Sequence, residues 1–300
     1  MRAGVQIEGM KTLLSIGHGY SARALAARLL PQGWRIIGTT RSAEKAAQIA
    51  ATGVEPVIWP GCDLSAALQQ ADALLVSAGP GPEGDPTLAA MRADIAAAAP
   101  GLDWVGYLST TGVYGDHQGG WVDETSPLTP STKRGLARVA AETAWQAIPG
   151  LNLHIFRLAG IYGPGRGPFA KVRAGTARRI IKAGQVFSRI HVEDIAQVLE
   201  ASLAWPNPGA IYNLCDDDPA PPQDVIAHAA ELLGLPLPPE VDFETADMTP
   251  MARSFYAESK KVRNDLIKQE LGIRLLFADY RVGLNALLEE EERDRNVSEI

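Results

Sequence analysis

The chain has 300 residues, 46% of them hydrophobic, and a formal net charge of −7. That length and apolar content support one large core, or a core with a smaller lobe. The acidic balance argues against a nucleic-acid partner, no stretch reaches the ~20 apolar residues that cross a bilayer, and two cysteines, Cys62 and Cys215, are too few for a disulfide framework or a thiolate zinc site.

The opening run, MRAGVQIEGMK, lacks the apolar segment of a secretory signal, so a cytoplasmic location is expected, with residues 1–10 a loose leader and Met10 an alternative start. Thr12–Ile16 then reads as a buried strand and Ala22–Leu30 as a helix stopped by Pro31. Strands at Trp34–Thr39, Pro56–Trp59, Ala73–Ser77 and Trp104–Leu108 alternate with helices at Ala43–Ala51, Leu64–Gln70 and Thr87–Ala99. A long helix over Arg134–Ala147 leads to a strand at Leu151–Arg157. Alternation of this kind predicts an α/β fold, a doubly wound parallel sheet.

After residue 160 the alternation loosens. Gly160–Gly167 (GIYGPGRG) reads as a Gly/Pro loop and Phe169–Arg179 as helical; Val192–Leu203 and Ala210–Leu214 return to helix and strand. Later helices are expected at Val225–Leu233 and Ser259–Glu270, and the EEEERDR run from Glu289 as a fraying helix end. The expected organisation is a dinucleotide-binding domain over 11–159, rejoined by 191–214. A small substrate-binding lobe takes 160–190 and 215–288, leaving loose termini at 1–10 and 289–300.

Gly17-His18-Gly19-Tyr20-Ser21-Ala22 matches G-x-G-x-x-A between a strand and a helix. In that context Gly17 permits the tight turn, Gly19 admits a pyrophosphate, and Ala22 lets helix and strand pack closely. The helix N-terminus offers free N–H groups and partial positive charge to the phosphates, with the Ser21 hydroxyl and Tyr20 beside them. The second strand ends in Thr40-Arg41-Ser42 with no carboxylate until Glu44. A carboxylate there would hold the ribose hydroxyls of NAD, whereas Arg41, with the Thr40 and Ser42 hydroxyls, suits a 2′-phosphate, so NADP is expected over NAD. Ala78-Gly79, after the fourth strand, also falls at a carboxyl strand end, where open α/β sheets bind ligands.

Pro127–Glu142 reads PLTPSTKRGLARVAAE, downstream of Leu108–Gly115 (LSTTGVYG); Arg157–Gly165 reads RLAGIYGPG and Ile190–Ala196 reads IHVEDIA. On these segments the chain, over about residues 11–288, resembles the extended short-chain dehydrogenase/reductase superfamily, in its atypical NAD(P)-dependent epimerase/dehydratase-like branch. The family's window is P-x-x-x-x-x-x-Y-G-x-S-K-x-x-A-E. Arg134 stands at its tyrosine and Arg138 at its lysine.

The resemblance implies an adenine contact at Asp63-Leu64 and a substrate-orienting hydroxyl at Thr110, followed by Thr111. It also implies that Arg138 replaces lysine as a ribose donor. A guanidinium stays protonated at neutral pH, so Arg134 cannot act as the family's general acid. Arg134 and Arg138 are four residues apart and share a helix face, either solvated or turned to the cofactor. Tyr114, Tyr162 and His191 are the alternative proton donors. Tyr114, Tyr162, Phe187 and Arg189 are the candidate substrate-binding residues. Asp123-Glu124 resembles a family segment near the substrate entrance, although a solvated turn explains it better.

The cations of Arg166–Lys182 suggest either a site for an anionic substrate or one charged helix face. The five histidines, at 18, 117, 154, 191 and 228, lack ligand spacing, so no metal is expected. Two functions follow. One is an oxidoreductase, epimerase or dehydratase acting on a sugar nucleotide or small carbonyl compound. The other is a non-catalytic NADP-binding redox sensor or regulatory protein. The resemblance allows a homodimer through the helices at 87–99 and 134–147 as well as a monomer.

Overall fold

The computed structural model describes residues 10–298, so the reading of residues 1–9 as a leader lies outside the described residues. Seven strands form one parallel sheet: β1 (Thr12–Ile16), β2 (Arg35–Thr40), β3 (Glu55–Ile58), β4 (Ala73–Val76), β5 (Trp104–Thr110), β6 (Leu153–Leu158) and β7 (Ile211–Leu214). Their order is β7-β6-β5-β4-β1-β2-β3. All five residues of β1 are buried, as a central strand covered on both faces requires. The order reverses between β1 and β4, which opens a crevice at their carboxyl ends.

Side-chain alternation assigns the two faces. Leu13, Leu75 and Phe156 point to one side, packing against α1 (Tyr20–Leu29), α2 (Ala43–Ala50) and α7 (Val192–Ala204) through Leu25, Ile49 and Leu199. Leu14, Leu74 and Val105 point to the other, meeting α3 (Ser65–Gln69), α4 (Pro86–Ala98) and α5 (Lys133–Gln146) through Leu68, Ile95 and Trp145. The strands and helices before residue 160 thus fall where the periodicity places them, and Val192–Ala204 and Ile211–Leu214 rejoin the sheet.

The second lobe has its own core, in which Phe169, Val225, Ala229 and Leu284 bring together α6 (Phe169–Arg173), α8 (Pro222–Leu232) and α11 (Tyr280–Ser298). Three expectations change here. Gly160–Tyr162 is a short strand pairing with Arg189–His191, not loop. The helix from Phe169 stops at Arg173, because Gly175 takes a left-handed φ of +66° and Arg179–Ile181 pairs with Glu240–Asp242. The helix expected from Ser259 begins only at Asp265, as α10 (Asp265–Glu270), because Lys261–Val262 pairs with Trp121–Val122. The remaining helix, α9 (Pro250–Phe255), lies just before that pairing, and α11 carries straight through the charged EEEERDR run. Among the described residues no helix is long and apolar enough to cross a membrane.

Candidate active site

A cleft of about 870 Å³ lies between the lobes, over the carboxyl ends of β1, β4 and β5. Its floor starts at Gly17, whose φ of +76° no L side chain adopts readily. A Cβ there would stand 2.8 Å from the Ala78 nitrogen, so Gly17 and the Ala78-Gly79 turn need each other. Gly19 is different. The nearest atom to a Cβ there is the Gly17 carbonyl oxygen at 3.6 Å, which leaves open space above the N-terminus of α1. That space, bordered by Ser21 and free helix N–H groups, fits a dinucleotide pyrophosphate. Tyr20 closes the end of the cradle, donating to the Pro164 carbonyl at 3.0 Å, with the Arg166 guanidinium over its ring. Ala22 is buried between α1 and the sheet.

His18, within the glycine motif, turns away from the cleft. Its Nδ1 meets Ser15 Oγ at 3.0 Å, and the ring packs so tightly on Gly38 that a Cβ there would come within 2.8 Å of it. Burial, helped by the Arg23 charge, pushes its pKa down to about 4, so it is neutral at pH 7.

The ends of β2 and β3 sit beyond the cleft lining. Arg41 is exposed, Thr40 is nearly buried, and the Ser42 hydroxyl caps α2 by accepting from the Lys45 N–H. Asp63 is committed to a local turn, accepting from the Ser65 N–H and hydroxyl, while the Leu64 side chain is core.

At the middle of the cleft, Thr110 ends β5 and accepts from the Gly112 N–H; Thr111 begins the following turn, and both line the cavity. Arg134 and Arg138, one turn apart on α5, line it too, so the face they share is the cleft face. Arg138 reaches down to the sheet, donating to the Leu108 carbonyl at 2.6 Å and the Tyr107 hydroxyl at 3.2 Å. Arg134 stays at the rim, its guanidinium 4.5 Å from the centre of the Phe255 ring on α9.

Of the alternative proton donors none is free. Tyr114 is fully buried and does not line the cleft, which corrects its expected place at the substrate. Its hydroxyl donates to Asn213 at 2.7 Å and accepts from Arg157 at 3.0 Å, and burial pushes its pKa up to about 12. Arg157 in turn pairs with Glu142, which also accepts from the Ser109 hydroxyl. This buried network fixes β5, β6 and α5 beneath the site. Tyr162 offers its ring to the cleft, but its hydroxyl faces the Asp279 carbonyl at 3.4 Å, and burial raises its pKa. His191 caps α7, accepting from the Glu193 N–H, and lies against Phe277; burial lowers its pKa to about 4.

Phe187 and Arg189 both line the cleft, and Phe187 packs edge-on against Tyr256. Of the basic run only Arg166 does: Arg173 and Arg179 pair with Glu291 and Glu240, Arg178 donates to the Asp247 carbonyl and Lys182 to that of Tyr256. Asp123-Glu124 is structural, Asp123 holding its own turn and Glu124 accepting from the Asn213 N–H. The sequence reading missed Glu258 and Lys260, an ion pair at 2.8 Å in the cleft wall. Lys260 also donates to the Gly115 carbonyl, and Ser131 to Glu258, so the pair ties the second lobe to the turn after Thr110. No periodicity marks them, because they lie in an irregular segment.

Fold and cleft together define a Rossmann-like α/β protein with a cleft at the carboxyl ends of its sheet strands. The model of the NAD dependent epimerase/dehydratase family matches residues 87–215. The chain is 33% identical over 243 residues to Protein YeeZ of Escherichia coli K12, covering 76% of this chain and 86% of that protein. A structure of a functionally unknown conserved protein from Silicibacter pomeroyi superposes with a TM-score of 0.91 at 65% identity, covering 94% and 99% of the two chains. Human epimerase family protein SDR39U1, solved with NADPH, gives a TM-score of 0.72 at 19% identity, covering 93% and 99%. The chain belongs to the NAD-dependent epimerase/dehydratase family.

Proposed function

We propose that the protein is an NADP-dependent oxidoreductase acting on a small carbonyl compound, with Arg134 and Arg138 in place of the family's tyrosine and lysine. The observation that carries the reading is the open cradle over Gly19 in one cleft with Thr110 and both arginines. Gly17, Gly19, Ser21 and the N-terminus of α1 would hold the pyrophosphate, and Arg138 the nicotinamide ribose. Arg41 at the end of β2 favours a 2′-phosphate. A bound nicotinamide supplies or accepts the hydride.

The chain's own residues do the rest. Thr110 orients the substrate oxygen with its hydroxyl. The fixed positive charge of Arg134 stabilises negative charge developing on that oxygen. The proton comes from water at the cleft mouth, since the tyrosines and His191 are held elsewhere. Apolar walls from both lobes exclude bulk water from the reacting carbon.

The test is a titration with NADPH and NADH followed by nicotinamide fluorescence. NADPH binding that Arg41→Ala weakens more than NADH binding supports the reading. Binding of neither overturns it. Wild-type turnover on a carbonyl panel separates catalysis from sensing, and Arg134→Ala is expected to remove that turnover while NADPH still binds. A wild type that binds NADPH but is inert on the panel favours the redox sensor.

A further inference from the structure

The cleft is far more basic than the chain around it. Its lining contains Arg134, Arg138, Arg166, Arg189 and Lys260 against one carboxylate, Glu258, and that carboxylate is paired with Lys260. Arg166 lies at the pyrophosphate end against Tyr20, and Arg138 is held down on β5. Arg134 and Arg189 remain for the substrate half, and among the described residues neither is engaged in an ion pair.

Arg189 is the more specific of the two. Its Nη1 donates to the Phe187 carbonyl at 2.9 Å and the Ala220 carbonyl at 3.1 Å, which locks the plane of the guanidinium. Its Nε and Nη2 make no hydrogen bond among the described residues, and Arg189 lines the cleft. Two parallel N–H groups on one edge match the two oxygens of a carboxylate. The charge acting most strongly on Arg189 is that of Asp216, a buried carboxyl with one oxygen lacking a hydrogen-bond partner among the described residues. Burial pushes the Asp216 pKa up to about 8, so at neutral pH it leaves the guanidinium largely uncompensated.

Part of the cleft wall is apolar. Phe187, Val225, Val262, Phe255 and Leu284 face the same cavity. A flat hydrocarbon body gains from burial against this wall.

We infer that the substrate half of the cleft binds an organic carboxylate with a planar, conjugated body, its anion on the Nε–Nη2 edge of Arg189 and its body on the aromatic wall of Phe187 and Phe255. This rests on the reading of the cleft as a cofactor-and-substrate site and names the substrate class. It places the reactive carbonyl or double bond between Arg189 and Thr110, at a distance from the acid group.

Calorimetric titration of the full chain, with and without NADP, tests it using trans-cinnamate, its neutral amide and UDP as probes. The expected result is cinnamate binding roughly ten- to a hundredfold tighter than the amide. Arg189→Lys, which keeps charge but loses the fork, is expected to remove most of that preference. Equal binding of acid and amide overturns the inference without any variant being needed. Tighter binding of UDP than of cinnamate overturns it in favour of a nucleotide. NADPH titration of the same samples reads the cofactor site separately: cinnamate binding without NADPH binding sinks the oxidoreductase reading but not the carboxylate site.

Discussion

Arg138 and Gly79 are fitted to one another across the cleft floor. The Arg138 guanidinium is fixed on the Leu108 carbonyl, and a Cβ at residue 79 would stand 2.9 Å from its Nη2. Gly79→Ala must therefore push the guanidinium off its seat, since the arginine is the part that can move. If Arg138 contacts the cofactor, Gly79→Ala weakens NADPH binding by about fivefold, and Arg138→Met by roughly tenfold. In the double variant the alanine adds nothing further, because the group it displaces is gone. A fluorescence titration of the four proteins measures the coupling; additive effects would show that the two residues act independently.

The two glycines of the cofactor turn should separate folding from binding. Gly19 has an ordinary φ of −103° and free space around a would-be Cβ. Gly19→Ala is expected to change unfolding free energy by less than about 1 kcal/mol while abolishing NADPH binding, because the methyl fills the pyrophosphate cradle. Gly17→Ala combines a left-handed backbone with a backbone clash on Ala78, and should lose about 2 kcal/mol or more as well. Denaturant melts alongside the titration distinguish the cases. Strong dinucleotide binding by Gly19→Ala would place the pyrophosphate elsewhere.

How far the sequence disclosed this protein depends on how local each feature is. The sheet was legible because Thr12–Ile16, Ala73–Val76 and their kin are continuous apolar runs spaced by helices, and burial on both faces dictates that composition. The glycine turn was legible because its requirement is set by backbone conformation. The placement of Tyr114 was not, since a tyrosine in a V-Y-G segment carries no mark of the Arg157 and Asn213 partners that bury it. Lys261–Val262 was read as helix because its strand partner, Trp121–Val122, lies far away in sequence. The Glu258–Lys260 pair was invisible for the same reason: its meaning comes from Ser131 and Gly115.

The pair Glu142–Arg157 is the most buried ion pair among the described residues, with both side chains 3% exposed and Glu142 also bonded to Ser109. Removing one member strands the other charge in the interior. Glu142→Ala is expected to destabilise by about 3–5 kcal/mol in urea unfolding at unchanged m-value. Glu142→Leu with Arg157→Met should recover most of that loss, because apolar groups of similar size need no partner. A loss below about 1 kcal/mol in Glu142→Ala would mean that water reaches the network.

The pH dependence of stability should carry two opposed limbs. His18 and His191 have folded pKa values of about 4 against 6.5 for the free side chain. Between those values the unfolded chain binds protons that the folded chain does not, so their contribution is intact above pH 6.5 and is lost as pH falls to 4, by about 3 kcal/mol each. Asp216 works the other way. Its folded pKa of about 8 lies above the ordinary 3.8, so the folded chain holds the extra proton and stability from this group declines as pH rises from about 4 to 8. His191→Asn keeps a cap for α7 and should flatten the acid limb by one proton. Asp216→Asn should flatten the alkaline limb, gaining on the wild type steadily between pH 5 and 8. Urea midpoints at pH 5, 6.5 and 8 for the three proteins test both signs. An Asp216→Asn profile parallel to the wild type would mean that Asp216 is ionised in the folded protein and pairs with Arg189. The guanidinium edge facing the cleft would then lose the uncompensated charge that the carboxylate site depends on.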